Sequence, residues 1–341
     1  MHKYNTLYTA RYIACSGTQI LCFKMDLVHS LFSTKITLYF SSQKAILYTA
    51  KICQRNNCKK LYCRNVFTLQ NGDNLKIDMH CHTAEGSIDA RVGIVDYVTE
   101  LINKGVDGML VTDHNSYKGY EYWQRIKGEL GDIGHFTVLK GIEYDTRNGG
   151  HIIIILPDTI KGADVMKARL IGIRGLSVVH LEKIVHSVGG ILGPAHPYDT
   201  GYYAFMNTRF GKLHPEFLEK FDFIESYNSV AKHSANESAR ELALRLDKPQ
   251  TAGTDTHRPE VIGTSWTEFP CSIRCNDDLI AAIKDPTRAK GPSVPYELFT
   301  NMHRDRGRIV EHLGIVGYWL YNRAEVLYHG FGRFRHRKAR Y

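Results

Sequence analysis

The chain has 341 residues, 43% of them hydrophobic, which is enough for one large α/β domain with a sizeable core. Its eight Cys residues, five of them before residue 70, argue against a disulfide framework and favour a cytoplasmic location. No run of 18 uncharged apolar residues occurs, so neither a transmembrane helix nor a membrane partner is expected. The net charge of +9 comes from the two ends, because residues 1–70 carry ten basic residues and one acidic residue, and the last eleven carry five basic residues and no acid.

Residues 1–70 differ from the rest of the chain. They are rich in Tyr, Ser and Lys, and they show no clear hydrophobic period. This composition favours a basic leader that is disordered, or a start assigned too far upstream with Met25 as the true start, over a folded module.

From residue 74 onward, strand and helix patterns alternate. Apolar runs bounded by turn residues predict strands at residues 75–79, 108–112, 136–141, 151–156, 191–195, 221–225 and 250–254. Amphipathic segments predict helices at residues 93–104, 120–129, 177–188, 216–220, 234–246 and 278–284. This alternation indicates parallel βα units, and the lack of a Gly-x-Gly-x-x-Gly fingerprint favours a closed or nearly closed barrel over a doubly wound sheet. The main domain is therefore expected at residues 74–295, followed by a helical C-terminal segment with a basic tail at residues 296–341.

His and acidic residues follow four of the predicted strands. The blocks are Asp78-Met79-His80-Cys81-His82, Val111-Thr112-Asp113-His114, Ala195-His196-Pro197 and Gly253-Thr254-Asp255-Thr256-His257. Neutral imidazole is a ligand for Zn, Mn or Fe, and a carboxylate can bridge two such ions. Because the carboxyl ends of barrel strands meet at one mouth, the blocks indicate a polynuclear metal centre there.

These blocks, together with Gly141-Ile142-Glu143 and the later His151, resemble the ordered motifs of the polymerase and histidinol phosphatase (PHP) family of metal-dependent phosphoesterases. The resemblance runs from about residue 76 to residue 257, and more loosely to about residue 330. It implies a distorted (β/α)7, TIM-like barrel with two or three divalent ions in its mouth. The ions would be Zn, Mn or Fe, with Mg as a further alternative.

The resemblance also implies a set of metal ligands, which are His80, His82, Glu85, His114, Glu143, His151, His196, Asp255 and His257. In this scheme the first His pair and Asp255 hold one ion, and Glu143 bridges it to a second ion completed by His151 and His196. A third ion is held by His114 and His257.

Four further assignments accompany this set. The loop after the first His pair lacks the Ser-Asp-Gly or His of many relatives, so Glu85 is chosen as its carboxylate and Asp89 is the alternative. Asp113 and Glu225 are expected to orient ligand imidazoles, with a solvated loop carboxylate as the alternative for Glu225. Arg258, directly after the last motif, is expected to bind substrate phosphate.

The implied activity is hydrolysis of a phosphate ester by metal-activated hydroxide, with Glu143, Asp255 and His257 at the catalytic centre. The substrate is expected to be a phosphomonoester, a nucleotide or a short oligonucleotide. Two alternatives stay open. One is an amidohydrolase-type barrel, which also begins with His-x-His and ends with a strand-end Asp. The other is a non-catalytic, metal-stabilised protein that binds nucleic acid through its basic ends.

Overall fold

The computed structural model describes the backbone of residues 7–15, 18–29, 32–41, 44–55, 58–69, 74–201, 203–305 and 307–338. The chain divides into two units, Met1–Asp73 and Asn74–Tyr341. The first unit contains an antiparallel sheet whose strands follow in chain order: β1 (Leu7–Cys15), β2 (Thr18–His29), β3 (Phe32–Ser41), β4 (Lys44–Arg55) and β5 (Cys58–Leu69). The side chains of this unit lie outside the described part of the chain, and the interpretation of residues 1–70 as a leader stays a prediction.

The strands of the second unit are β6 (Leu75–Cys81), β7 (Gly108–Val111), β8 (Thr137–Asp145), β9 (His151–Ile155), β10 (Ile191–Pro194), β11 (Ile224–Asn228), β12 (Gln250–Gly253) and β13 (Thr267–Phe269). Six of them form one sheet in the order β10-β9-β8-β7-β6-β13, and β11 pairs with β12 in a second sheet. The pairs β6–β7, β7–β8 and β11–β12 are parallel. The pairs β8–β9, β9–β10 and β13–β6 are antiparallel.

The helices are α1 (Ile94–Asn103), α2 (Lys118–Ile126), α3 (Asp164–Arg169), α4 (Val178–Ser187), α5 (Arg209–Leu213), α6 (His233–Arg245), α7 (Asn276–Ile283) and α8 (Arg308–Lys338). The helix predicted at residues 216–220 is instead a 3-10 helix, Pro215–Lys220. In α1 the buried residues Ile94, Tyr97, Val98 and Leu101 recur at helical spacing and face the sheet. Within the described residues, no helix combines the length and hydropathy needed to cross a bilayer.

The sheet of the second unit is buried on both faces. Tyr97 and Trp123 belong to the cluster that packs under α1 and α2, and Val178 belongs to the cluster under α4. On the other side of the strands, Ile77 and Leu110 belong to a third cluster, which fills the interior. Near-continuous apolar runs are expected of strands buried on both faces, and β9, which reads His-Ile-Ile-Ile-Ile, shows such a run.

Backbone hydrogen bonds connect the two sheets of the second unit on two sides. Beside the edge strand β10, Asp222 N donates to Leu192 O at 2.9 Å, and beside the half of β6 that β13 does not pair with, Asp255 N donates to His80 O at 2.8 Å. The β11–β12 pair therefore lies between β10 and β6, and the strands and helices of this unit together confirm a mixed α/β fold. Regular βα alternation is broken at β8–β9, because the five residues 146–150 between them allow only an antiparallel pair. The exact (β/α)7 barrel stays a prediction.

Candidate metal centre

The predicted ligands lie along the edge of the sheet that is formed by the carboxyl ends of its parallel strands. His80 is the last residue but one of strand β6, His196 follows β10, and Asp255 follows β12. His151 is the first residue of β9, but β9 runs antiparallel to β8 and His151 pairs with Asp145 at the end of β8. The start of β9 therefore lies at the same edge as the ends of the other strands. The strand directions explain how residues from distant parts of the chain meet there.

Four donor atoms at this edge have the spacing of a coordination shell. His82 Nε2 lies 3.2 Å from His80 Nε2, 3.2 Å from Glu143 Oε2 and 3.1 Å from Asp255 Oδ1. His80 Nε2 lies 3.4 Å from Glu143 Oε2 and 3.7 Å from Asp255 Oδ1. Bonds of about 2.0–2.2 Å from a tetrahedral ion to its ligands place those ligands about 3.3–3.6 Å apart. The arrangement therefore fits one divalent ion.

Glu143 lies at the middle of the cluster and presents its two oxygens to different imidazoles. Its Oε1 lies 2.9 Å from His151 Nδ1 and 3.0 Å from His196 Nε2. Its Oε2 lies 3.2 Å from both His82 Nε2 and His114 Nδ1, and it is buried without a hydrogen bond from the described residues. A buried carboxylate oxygen costs free energy unless it is paired, so this arrangement suits a carboxylate shared between two cations.

The loop after the first His pair places its two carboxylates differently. The Glu85 carboxylate accepts the backbone N–H of Ile94 at 3.1 and 3.2 Å, and it therefore caps the first turn of α1. Asp89 Oδ2 lies 3.7 Å from His114 Nε2 and 3.6 Å from His257 Nδ1. The geometry favours Asp89, the alternative, over Glu85 as the carboxylate of a third site. A side chain engaged by a helix N-terminus is held away from the imidazoles.

Glu225 lies behind two of the predicted ligands. Its Oε1 is 2.8 Å from His80 Nδ1, and its Oε2 accepts the backbone N–H of His196. A carboxylate only accepts, so the His80 proton lies on Nδ1 and the Nε2 lone pair faces the cluster. Glu225 is buried, which excludes the solvated loop carboxylate considered as its alternative.

Asp113 is connected to the predicted ligand His82 through Ser87. It accepts the N–H of Thr83 at 2.7 Å and the hydroxyl of Ser87 at 3.1 Å. Ser87 Oγ in turn lies 3.2 Å from His82 Nδ1. Because the Ser87 hydroxyl donates to Asp113, its oxygen accepts from His82 Nδ1–H and leaves Nε2 of that imidazole for a cation. The relay through Ser87 was missed by the sequence reasoning.

Asp145 is a second residue that the sequence reasoning missed. Its Oδ1 lies 3.1 Å from His151 Nε2 and 3.3 Å from His114 Nδ1. Period-2 alternation places Asp145 on the same face of β8 as Glu143, whereas Tyr144 between them is buried in the core. That alternation was a signal that could have identified Asp145.

The Arg258 side chain contacts other protein groups beside the centre. Its guanidinium donates to Met302 O at 3.1 Å and lies 3.5 Å from Glu260 Oε1. Two other basic residues, Lys118 and Arg174, line the cleft that contains His114. The role of Arg258 in phosphate binding stays a prediction.

The charges of the cluster compensate one another. Burial opposes the charged form of His114, but Glu143 and Asp145 outweigh it and raise its pKa to about 10. Burial likewise opposes a charged His196, and the hydrogen bond with Glu143 raises its pKa to about 9. Burial would raise the pKa of Glu143, yet the neighbouring imidazoles, His151 first, hold it well below its usual value. Cations bound here would replace these protons, so metal binding is coupled to proton release.

The donor set shows that this part of the second unit could hold divalent metal ions. Residues 233–287 match the family model described as PHP-associated. The match lies in the C-terminal part of the stretch whose motifs resemble the PHP family. No curated protein sequence matches the chain.

Three of the solved structures that match the chain align with it at low sequence identity. PsfC from Pseudomonas syringae aligns with a TM-score of 0.46 and 15% identity, covering 74% of this chain and 99% of that one. A protein from Bifidobacterium adolescentis described as a metal-dependent phosphoesterase aligns with a TM-score of 0.43 and 16% identity, covering 61% and 96%. An amidohydrolase from Chromobacterium violaceum, solved with sulfate and no metal, aligns with a TM-score of 0.39 and 16% identity, covering 61% and 96%.

Proposed function

We propose that the chain is a metal-dependent phosphoesterase that hydrolyses a small phosphate ester, and that its curled sheet is the distorted (β/α)7 barrel of the PHP family. The observation that carries the proposal is Glu143, whose two oxygens face two different groups of imidazoles. A shared carboxylate is what a two-ion site needs, and paired ions act on both the attacking and the leaving oxygen of a phosphoryl group. Zn, Mn or Fe suits a donor set of imidazoles and carboxylates.

The residues present would hold two adjacent ions. His80, His82 and Asp255 would bind one, and His151 and His196 would bind the other, with Glu143 between them. Ions bound in this way would neutralise phosphoryl oxygens and lower the pKa of a water molecule towards about 7.

The protein itself orients these groups and handles the proton. Glu225 and Ser87 fix the tautomers of His80 and His82. His257 is the most exposed imidazole of the cluster, and its Nε2 lies 3.2 Å from Asp255 Oδ1. We assign to His257 the role of donating a proton to the leaving group. Lys118 lines the adjoining cleft and would attract the substrate anion.

One observation separates this proposal from the amidohydrolase alternative. That class would need a carboxylated Lys or an equivalent as the bridging ligand, and it usually lacks the Thr-Asp-His block and the His two residues after the final Asp. Lys140, the lysine of strand β8, places its Nζ 4.5 Å from the centre of the Tyr117 ring, as in a cation–π contact. Lys140 is therefore a poor bridging ligand, and the presence of His114 and His257 in the cluster supports the phosphoesterase proposal.

The test is hydrolysis of p-nitrophenyl phosphate by the full chain loaded with Mn or Zn, with metal content measured on the same samples. His80→Ala and Asp255→Ala are expected to lower turnover by several orders of magnitude while circular dichroism stays unchanged. His233→Ala is the matched control, because this side chain is exposed on α6. Near-normal turnover of His80→Ala would overturn the site assignment, and metal binding without hydrolysis of any phosphate ester would favour the non-catalytic alternative.

A further inference from the structure

Helix α8 lies across the mouth of the metal centre and contributes one face to it. Glu311, Ile315, Tyr318 and Tyr321 are half-buried and recur at helical spacing, whereas Leu313 between them is exposed. Glu311 also pairs with Lys232, at 3.3 Å, from the loop before α6. The helix is therefore seated on the second unit by a defined face.

Tyr318 is the residue of this face that reaches the predicted ligands. Its ring centre lies 5.5 Å from the ring centre of His114 and 5.7 Å from that of His151. Its hydroxyl donates to the Asp145 carboxylate at 3.3 Å. Tyr321, one turn further on, has its ring centre 6.2 Å from that of Tyr318.

The two tyrosines line a cleft of about 530 Å³ that opens onto the metal centre. Its floor includes His114 and Asp145, and its walls include the cations Lys118 and Arg174. The volume falls within the range of small-molecule sites, and the cleft combines an anion-attracting side with an aromatic side. A substrate that carries phosphate at one end and a flat apolar group at the other would match both.

We propose that Tyr318 and Tyr321 of α8 form the wall that binds the organic group of the substrate, and that they select small phosphate monoesters with an aromatic or heterocyclic group. This inference rests on the proposed phosphoesterase function. Stacking on an aromatic side chain holds any flat group, so it sets the class of substrate rather than one compound. A helix across the mouth also limits the length of what can enter, which disfavours long oligonucleotides.

The experiment measures the affinity of the metal-loaded full chain for two phosphonates by isothermal titration calorimetry. Methylphosphonate presents the anion alone, phenylphosphonate adds a flat ring, and neither carries a hydrolysable ester bond. Tyr318→Ala is expected to weaken phenylphosphonate binding about tenfold or more and methylphosphonate binding less than about twofold. Tyr318→Phe keeps the ring and should bind both ligands like the wild type. Tyr328→Ala, an exposed tyrosine on the same helix, is the control.

The outcomes separate the inference from the proposed function. Equal loss of both ligands in Tyr318→Ala, or no loss of either, would overturn the inference and leave the phosphoesterase assignment intact. A loss in Tyr318→Phe as large as in Tyr318→Ala would also overturn it, because the hydroxyl would then be responsible instead of the ring. If the metal-loaded wild type binds neither phosphonate, the proposed function itself fails. Metal content of each variant shows that the centre is intact.

Discussion

Replacement of Glu225 by Gln tests whether this carboxylate fixes the protonation of His80 at the site proposed for His80, His82 and Asp255. The two side chains have nearly the same volume, so packing should survive. Both oxygens of Glu225 accept, one from His80 Nδ1 and the other from the backbone N–H of His196. A Gln amide has one oxygen and one NH₂ group, so its NH₂ must face a donor in either orientation.

Each orientation carries a cost at the metal site. If the NH₂ faces His196 N–H, a buried donor is left unsatisfied, at about 1–3 kcal/mol. If it faces His80 Nδ1, that imidazole must move its proton to Nε2, the atom 3.4 Å from Glu143 Oε2 that is expected to bind the cation. Loss of an outer partner of a ligand lowers metal affinity by about 10–100-fold, or about 1.4–2.7 kcal/mol. The same range is expected for Glu225→Gln.

The assay is a competition titration of the metal-free protein with Zn²⁺ or Co²⁺ against a chelator of known affinity. Glu237→Gln serves as the matched control, because this carboxylate is exposed on α6. Thermal unfolding of the metal-free variants checks that both remain folded. A dissociation constant for Glu225→Gln within about twofold of the wild type would refute the argument that this carboxylate fixes the His80 tautomer.

Two further predictions concern the scaffold. Gly253→Ala should destabilise the fold by about 1–3 kcal/mol or more in urea unfolding, because the added Cβ would lie 2.8 Å from His80 Cα and closer still to its N and Cβ. Gly128→Ala, whose Cβ meets nothing within 4 Å, should be near neutral, and equal effects would contradict the reasoning. The hydrogen bond to Asp222 raises the pKa of His186, so this pair should stabilise the fold fully below pH 6.5 and lose that contribution as the pH rises through the raised value. His186→Gln should remove this part of the pH dependence of unfolding, and an unchanged slope would refute it.

The sequence could predict that several candidate ligands lie together at the end of their strands. His80, His82 and Asp255 come after apolar runs, and side-chain alternation in a strand is a local property that survives folding. His151 lies beside the same strand ends although β9 runs antiparallel, because a hairpin brings its first residue to the edge where β8 ends. Asp145 obeys the same alternation and was within reach of the same reasoning.

The rest of the site depends on contacts that no local pattern encodes. Glu85 and Asp89 both lie in one loop, and only the position of the α1 N-terminus determines which carboxylate caps the helix. The contact of Tyr318 with Asp145 joins residues 173 positions apart. A helical period predicts that α8 has a buried face, but it does not determine which surface of the domain that face covers.

Backbone conformation adds a constraint on the metal centre that composition does not reveal. Asn115, His196 and Asp255 have positive φ values of 50°, 29° and 49°, a region that costs a non-Gly residue about 1–3 kcal/mol. Each donates its own backbone N–H within the centre. Asn115 donates to Glu143 O, Asp255 donates to His80 O, and His196 donates to the Glu225 carboxylate. The hydrogen bonds that offset the strain thus end on other members of the cluster. The positions of these residues are therefore interdependent, because a change that releases one strained residue also removes a hydrogen bond to another part of the centre.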